Sequence, residues 1–230
     1  MEESLQDYRK LIDYMISNEI IENEGDYEYG NWFKDLPEDY TISKVLFLRF
    51  SCDYLCWEFE SQEKFKEKFK EKYANDKEFI SDYLNNTDLG NDLFYLASEE
   101  IQGDYELLKK YAGFIYPEIG YANHLVALDD NIVNNRALML RLLADVPVIL
   151  MDLKEEFQDD DEFISTAINK DGTLLKFASK RIQDDEKIVT AAIENNIEAV
   201  LHASKRLREF PDGIFYEHYW HVINGVEFKK

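Results

Sequence analysis

Few residues that could perform chemistry lie close together in this sequence. His218 and His221 are three residues apart near the C-terminus and would share one face of a helix. Two imidazoles at this spacing could bind a metal ion, but no further Cys or His lies nearby to complete the site, so a packing role is simpler. The acidic run 159–162 lacks the alternating ligands and the Gly of a calcium-binding EF-hand loop. We therefore predict no metal site and no cofactor.

The sequence also lacks a recognisable nucleophile and its base. Cys52 could act with any of the four histidines, but nothing marks a general base or an oxyanion site. Glycine-rich phosphate-binding and dinucleotide-binding motifs, the zinc-protease motif and the nucleophile-elbow motif are all absent. We therefore predict that the protein is not an enzyme and assign no catalytic residue. A hydrolase-like enzyme that uses the region of His218 and His221 is the alternative.

Residues 22–39 combine acidic and aromatic side chains, with seven acids, one Lys and four aromatic residues. Tyrosine and tryptophan anchor protein interfaces, and carboxylates steer the approach of basic partners. We predict an ordered loop in this segment that binds a partner through Asp26, Tyr27, Glu28, Tyr29, Trp32, Phe33 and Asp35. A second acidic cluster, residues 152–162, has seven acids and one Lys, and helix capping explains only part of it.

The charge of the whole chain favours a basic protein partner. It carries 48 Asp and Glu against 26 Lys and Arg, which gives a net charge of −22. Such a surface repels phosphate groups, so we predict no direct nucleic-acid binding and no binding to anionic membranes. Acidity that serves only solubility is the alternative. The sequence makes no prediction of the oligomeric state.

Two further features predict a cytoplasmic location. The chain starts with acidic residues where a secretory signal would be basic, and the apolar run 45–59 is too short and too charged to span a membrane. Cys52 and Cys56 are four residues apart, a spacing that rarely allows disulfide geometry on a helix. Two buried thiols in a reducing compartment fit this pattern.

The phrase Ala-Ser-Lys-Arg occurs twice, at residues 178–181 and 203–206. The segments 159–183 and 184–208 that contain it match at eight of 25 positions without a gap, and residues 134–158 continue the same apolar register. Two weaker copies begin near residue 73. We therefore predict five helical units, and a period of this length is typical of stacked repeat proteins.

Each unit is predicted to contain two short helices. The first has an apolar face at Phe163, Ile164, Ala167 and Ile168, and the second at Leu174, Leu175, Ala178 and Ile182. Acidic or amide residues are placed to cap the first helix of each unit, at Asp76, Asp104, Asn135, Asp160 and Asp185. Ala-Ser-Lys-Arg is then predicted to form the last turn of the second helix, with its two cations near the helix C-terminus.

The unit pattern L-x-x-A-S-x-x-(I/L)-x-x-D, clearest from Leu175 through Ala192-Ile193, resembles a tandem helical repeat family catalogued only as a domain of unknown function. The resemblance covers about residues 73–208 and implies an all-α repeat array. It implies no activity and no catalytic residue.

We predict an all-α fold in which an α-solenoid-like array carries a cap at each end. Residues 1–72 form the N-terminal helical cap region, with helices over 2–20 and 41–59 and a surface helix over 61–73. Residues 73–208 form the five repeats. Residues 209–230 form an aromatic C-terminal cap, either a hairpin at Asn224-Gly225 or a helix.

Three functions of different classes fit these observations. The first is a non-enzymatic, acidic protein-binding repeat module, concretely an inhibitor or immunity protein that docks a basic, nuclease-like effector. The second is an enzyme with an unrecognised site. The third is a structural scaffold whose acidity serves only solubility.

Overall fold

The computed structural model describes residues 10, 11, 13–15, 17, 59–86, 93–113, 125–209, 213–216, 219 and 222. All regular secondary structure in these residues is helical, which confirms the prediction of an all-α fold. No helix among them is both long and apolar enough to cross a membrane. The chain divides into two compact units, Met1–Leu107 and Leu108–Lys230.

The first unit packs aromatic side chains between two helices. Its described elements are the α-helices Phe59–Tyr73, Lys77–Asn86 and Glu99–Gln102 and the 3₁₀ helix Phe94–Leu96, and the helix Tyr105–Ala112 begins at its end. Three aromatic residues spaced four apart on the predicted helix 61–73 are buried: Phe65, Phe69 and Tyr73. The ring of Tyr73 stacks on Phe79 with 3.9 Å between centroids. Lys10, Leu11, Asp13, Tyr14, Met15 and Ser17 are helical, as predicted for the N-terminal segment.

The second unit alternates three kinds of short helix. Its longer α-helices are Arg136–Asp145, Asp161–Ile168 and Glu186–Asn195. Each is followed by a 3₁₀ helix, at Pro147–Met151, Gly172–Phe177 and Ile197–His202, after an earlier one at Leu125–Ala127. Four-residue α-helices complete the pattern at Asp130–Val133, Glu155–Gln158, Lys180–Gln183 and Lys205–Arg208. The segments 159–183 and 184–208 therefore contain the same three elements in the same order.

All five predicted capping residues cap their helices. Asp160 Oδ1 accepts from the backbone N–H of Phe163 at 3.2 Å, and Asp185 Oδ1 accepts from that of Ile188 at 3.1 Å. In the same way, Oδ1 of Asp76, Asp104 and Asn135 accepts a hydrogen bond from the backbone N–H three residues later, at 2.8, 3.3 and 3.1 Å. Each bond satisfies a donor that a helix N-terminus leaves without an intrahelical partner.

The predicted position of Ala-Ser-Lys-Arg in the last turn of a helix is wrong. Ala178 ends the 3₁₀ helix Gly172–Phe177, and both Ala178 and Ser179 have extended backbones, with ψ of 157° and 161°. Ser179 is the N-cap of Lys180–Gln183, and its side chain accepts from the N–H of Ile182 at 3.3 Å. The phrase therefore forms a bend between two helices, and segments 159–183 and 184–208 each have three helical elements rather than two. Lys180 and Arg181 begin a helix instead of ending one.

The segments 159–183 and 184–208 pack with their backbones in close approach. The N–H of Gly172 donates to Asn195 Oδ1 at 2.8 Å, and Asn195 Nδ2 donates to the carbonyl of Asn169 at 3.1 Å. A Cβ atom added at Gly172 would lie 2.1 Å from the carbonyl oxygen of Ala192. Only glycine permits this approach, because any side chain would overlap the facing helix.

Candidate functional site

The residues predicted to bind a partner, Asp26, Tyr27, Glu28, Tyr29, Trp32, Phe33 and Asp35, lie outside the described residues. So do the two cysteines, the pair His218 and His221, and Asn224-Gly225. Tyr216, Tyr219 and Val222, which are described, are helical. The predicted roles of the acidic aromatic segment and of the C-terminal cap therefore stay predictions.

A polar cluster at the bend before Lys180–Gln183 brings together residues from two neighbouring segments. The Ser179 hydroxyl donates to Asp159 Oδ1, and Arg181 Nε donates to the same oxygen at 2.9 Å. Arg181 Nη2 also donates to the backbone carbonyl of Asp159. The backbone N–H of Ser179 donates to the carbonyl of Gln158 at 2.9 Å. We call this group of Asp, Ser and Arg side chains the Ser–Asp–Arg junction.

The Ser–Asp–Arg junction recurs 25 residues later with the same partners. The Ser204 hydroxyl donates to Asp184 Oδ1, and Arg206 Nε donates to Asp184 Oδ1 at 3.0 Å and to Oδ2 at 3.2 Å. Arg206 Nη2 donates to the carbonyl of Asp184 at 2.7 Å, and the N–H of Ser204 donates to the carbonyl of Gln183 at 2.7 Å. Sequence analysis missed the junction, although its Asp, Ser and Arg all recur at the repeat period.

Glutamine side chains close the other side of the bends that follow the 3₁₀ helices Pro147–Met151 and Gly172–Phe177, and at the bend after Ile197–His202 Arg208 Nε donates to the carbonyl of Ala203 at 3.0 Å. Gln183 Nε2 donates to the carbonyls of Leu175 and Lys176 at 3.1 and 3.3 Å, and Gln158 makes the equivalent bonds to Leu150 and Met151 at 3.0 and 3.3 Å. These carbonyls lie near the end of a 3₁₀ helix, where oxygens need partners outside the helix. The polar side chains at the bends thus serve the fold.

The junctions change the ionisation of their aspartates. The Ser179 hydroxyl, followed by the arginine of the same junction, lowers the pKa of Asp159, and Ser204 and its arginine lower the pKa of Asp184 in the same way. Asp159 is exposed and the side chain of Asp184 is 44% exposed, so solvent screens these interactions and each adds little stability at neutral pH. The hydrogen bonds of the two junctions therefore serve mainly to hold neighbouring segments in register, and they contribute little to the free energy of unfolding.

The second acidic cluster, residues 152–162, is largely engaged within the fold. Arg136 pairs with Asp160 at 2.7 Å and with Glu162 at 2.6 Å, and Arg136 is the main cause of the lowered pKa of Asp160. Asp161 pairs with the arginine of the first junction at 2.9 Å, and the side chain of Asp152 is buried. Only Glu155 and Glu156 are exposed acids of this cluster without such a role in the fold.

Acidity is therefore distributed unevenly along the chain. Residues 125–209 contain 17 acidic and 11 basic side chains, and many of these acids cap helices or form ion pairs. Residues 1–58 contain 14 acidic and only 5 basic side chains. Nine of the 22 net negative charges thus lie in the region that includes the acidic aromatic segment.

One histidine lies among the described residues. His202 is half-buried at the end of the 3₁₀ helix Ile197–His202, and burial lowers its pKa, with Lys176 and Arg208 adding to the effect. It is therefore neutral at pH 7. Within the described ranges, no three His, Cys, Asp or Glu side chains are arranged to hold a metal ion.

The two junction aspartates predict a specific dependence of stability on pH. Their pKa values are lower in the folded chain than in the unfolded chain, so the unfolded chain takes up more protons as the pH falls. Their stabilisation is therefore present above about pH 4 and is lost below it. We expect the Asp159→Asn/Asp184→Asn variant to be less stable than the wild type at neutral pH, with a difference that shrinks below about pH 4.

Urea unfolding of both proteins between about pH 7 and about pH 3 measures this difference. Lowering the pH also changes the net charge, and this alters the free energy of unfolding of both proteins by nearly the same amount. The difference between the two proteins is therefore free of that effect. A difference that stays constant over the whole range would show that ionisation of these two carboxylates does not contribute.

Comparison with known proteins agrees with the family resemblance of the repeats. Residues 135–183 and 160–208 each match the family model described as "Domain of unknown function (DUF4116)". The two matches start 25 residues apart and overlap over residues 160–183, which include Ser179 and Arg181 of the first junction. No curated protein and no solved structure matches the chain. The resemblance to a domain of unknown function is thereby confirmed for this part of the chain.

Proposed function

We propose that this chain is a non-enzymatic protein-binding module, in which a solenoid-like array of five helical units supports an acidic aromatic segment that docks a basic protein. The array spans residues 73–208, residues 1–72 and 209–230 form its caps, and residues 22–39 carry the binding surface. The observation that carries the proposal is the contrast between acids engaged in the fold and the excess of acids near the N-terminus.

The recurring packing of segments 159–183 and 184–208 supports the array. Two Ser–Asp–Arg junctions with the same bonds hold successive segments in register, and the close approach at Gly172 leaves no room for a shifted arrangement. In repeat proteins of this kind each unit contacts only its neighbours, and the extended surface serves binding. A rigid support reduces the entropy that a binding segment loses when it docks.

Charge supports the choice of a basic partner. Residues 22–39 contain seven acids and only Lys34 as a cation, and the aromatic residues Tyr27, Tyr29, Trp32 and Phe33 lie among them. Carboxylates raise the association rate with a positively charged protein, and buried aromatic side chains slow its dissociation. The partner that best fits is a basic effector with a nuclease-like surface, whose phosphate-binding cations the carboxylates would occupy. The chain would then act in the cytoplasm as an inhibitor or immunity protein.

Neutralising three acids of this segment tests the proposal. We expect Asp26→Asn/Glu28→Gln/Asp35→Asn to leave the melting temperature nearly unchanged and to slow association with the partner by about tenfold at low salt. The loss should shrink as salt rises, because ions screen the attraction. The partner is first identified by pull-down from a native lysate, repeated in high salt, and association is then followed by surface plasmon resonance.

A matched control removes the same charge elsewhere. Glu99, Glu155 and Glu156 are exposed acids in the described helices. The variant Glu99→Gln/Glu155→Gln/Glu156→Gln removes three negative charges, as many as the variant of the binding segment does. This control is expected to change association only slightly. If both triple variants bind at the wild-type rate at low salt, the acidity serves solubility and the proposed binding segment is wrong.

A further inference from the structure

A bend in the first unit has the same backbone geometry as the bends of the two Ser–Asp–Arg junctions. It lies at Ala97 and Ser98, which are both extended with ψ of 156°. The N–H of Ser98 donates to the carbonyl of Ala74 at 2.8 Å, and the side chain of Gln102 donates to the carbonyl of Tyr95 at 3.0 Å. The serine and the glutamine of the first junction make the equivalent two bonds.

The side chains at this bend differ from those of the junctions. Asn75 comes directly after the carbonyl acceptor, the place that Asp159 takes in the first junction. Glu100 comes two residues after the serine, the place of Arg181, whose guanidinium bonds to both the side chain and the backbone carbonyl of Asp159. Neither Asn75 nor Glu100 makes a side-chain hydrogen bond or ion pair within the described part of the chain. This bend therefore does not supply the guanidinium that the junctions use.

A cavity of about 160 Å³ lies at this bend. Its lining consists of Asn75, Lys77, Ser98, Glu100, Ile101 and Asp104. Three of these residues are exposed, Asn75, Lys77 and Glu100, so the cavity opens to solvent. A water molecule occupies about 30 Å³ of liquid, so the space holds several waters or one group of guanidinium size.

The charges around the cavity favour a cation as its occupant. Lys77 forms an ion pair with Asp104, whose carboxylate also accepts from the N–H of Leu107 at 3.3 Å. The positive charge of Lys77 is thus balanced inside the cavity. Glu100 remains as a carboxylate that pairs with no cation among the described residues. An anion would be repelled by Glu100, whereas a cation would pair with it.

The oxygen atoms at the bend favour a guanidinium over an ammonium group. The carboxylate of Glu100 and the side-chain amide of Asn75 both line the cavity. A planar guanidinium has five N–H donors and can bond to several oxygens at once, whereas an ammonium group is a compact point charge. Both Ser–Asp–Arg junctions place a guanidinium beside the serine, on the backbone carbonyl of the junction aspartate.

We propose that this cavity binds an arginine side chain of a partner protein, which takes the place that the chain's own arginine takes in each Ser–Asp–Arg junction. The cavity lies outside residues 22–39, so this contact is separate from the proposed binding segment. The test uses peptides instead of the unidentified partner, so failure of either proposal leaves the other standing.

Two capped tripeptides, with arginine or lysine between two glycines, serve as the probes. We titrate each into the full chain and follow the side-chain amide of Asn75 and the backbone amide of Ser98 by NMR. The arginine peptide should cause saturable shifts at both groups and bind at least about fivefold more tightly than the lysine peptide. Equal affinity of the two peptides overturns the proposal, and so does a titration in which these two groups do not shift.

Glu100→Arg supplies the missing arginine from the chain itself. It should therefore weaken binding of the arginine peptide by about tenfold or more. Glu99→Arg is the matched control, because it makes the same change of charge at the neighbouring exposed residue, which does not line the cavity. The control should bind within about threefold of the wild type, since only general attraction is reduced. An equal loss in both variants shows that the peptide responds to overall charge and overturns the proposal.

Glu100→Gln separates the carboxylate from the space that it borders. The variant keeps nearly the same side-chain volume at an exposed position, and its thermal unfolding by circular dichroism should match that of the wild type. Binding of the arginine peptide should weaken by about threefold or more at low salt, and the loss should shrink as salt rises. Wild-type affinity in Glu100→Gln overturns the proposed pairing of the arginine with Glu100.

Discussion

Gly172→Ala is expected to lower the free energy of unfolding by about 3 kcal/mol or more, the upper range for overpacking a well-packed interface. The added methyl group would lie 2.1 Å from the carbonyl oxygen of Ala192 and 3.1 Å from the backbone nitrogen of Asn196. Both atoms belong to the backbone at the end of the helix Glu186–Asn195, so no side-chain rotation relieves the overlap. The helix must move away, and the bond from the Gly172 N–H to Asn195 Oδ1 lengthens or breaks.

Gly113→Ala is the matched control for this effect. Its added methyl group would lie 3.3 and 3.4 Å from the carbonyl oxygens of Lys110 and Lys109, a contact that a shift of a few tenths of an ångström relieves. Thermal unfolding followed by circular dichroism compares the two variants, and each kcal/mol corresponds to about 2–4 °C in a chain of this size. If Gly172→Ala melts within error of Gly113→Ala, the close approach between segments 159–183 and 184–208 does not exist in solution.

Helix starts could be predicted from this sequence because their cause is local. Asp160 and Asp185 each precede an apolar face by three residues, and a short acidic side chain there can only bond to the N–H groups of the next turn. The apolar residues Phe163, Ile164 and Ala167 then mark the buried face directly. Both signals lie within one turn of the residues that they position.

The bend at Ala178-Ser179 was missed because apolar spacing does not distinguish one helix from two. Leu174, Leu175, Ala178 and Ile182 fit a continuous α-helix, and the structure buries them on a 3₁₀ helix followed by a separate turn. The useful signal was Ser179 itself, since serine favours an N-cap over a helix interior. A capping preference in the middle of an apolar period therefore indicates a bend.

Charged pairs between residues far apart in the chain can also be found in the sequence, but only when the repeat units are compared with one another. After four of the five caps, the next residue and the second residue of the following four-residue helix have opposite charge: Lys77 and Glu100, Arg136 and Glu156, Asp161 and Arg181, Glu186 and Arg206. After Asp104 both positions are uncharged, Tyr105 and Asn131. The structure joins one of these pairs directly, Arg181 to Asp161 at 2.9 Å. Lys77 and Glu100 line one small cavity in the first unit. When the charges at two positions both change sign from one unit to the next, the two side chains are expected to face each other.

Composition predicts the candidate binding segment, but composition alone does not distinguish it from the second acidic cluster. Residues 22–39 and residues 152–162 each contain seven acids and one lysine. What separates them is the presence of Arg136 and Arg181, which lie outside the second cluster in sequence and pair with four of its acids, residues 159–162. Such pairing depends on how the segments pack, so no count of acids within a window predicts it.

Ala178→Asp and Ala203→Asp are each expected to lower the free energy of unfolding by about 2–4 kcal/mol. Ala178 is 8% exposed and Ala203 is 5% exposed, so a carboxylate at either position loses most of its hydration. The backbone adds no strain, because the extended conformation of both residues is open to any side chain. The expected cost comes from burying charge and volume at the bend.

Two further variants separate charge from volume and from position. Ala178→Asn has nearly the same size as Ala178→Asp without the charge, so we expect it to cost clearly less. Lys180→Ala removes an exposed cation two residues along the chain, and we expect a change of at most about 0.5 kcal/mol. Urea unfolding midpoints at neutral pH rank the variants. If Lys180→Ala proves as destabilising as Ala178→Asp, the buried side of the bend has been assigned to the wrong residues.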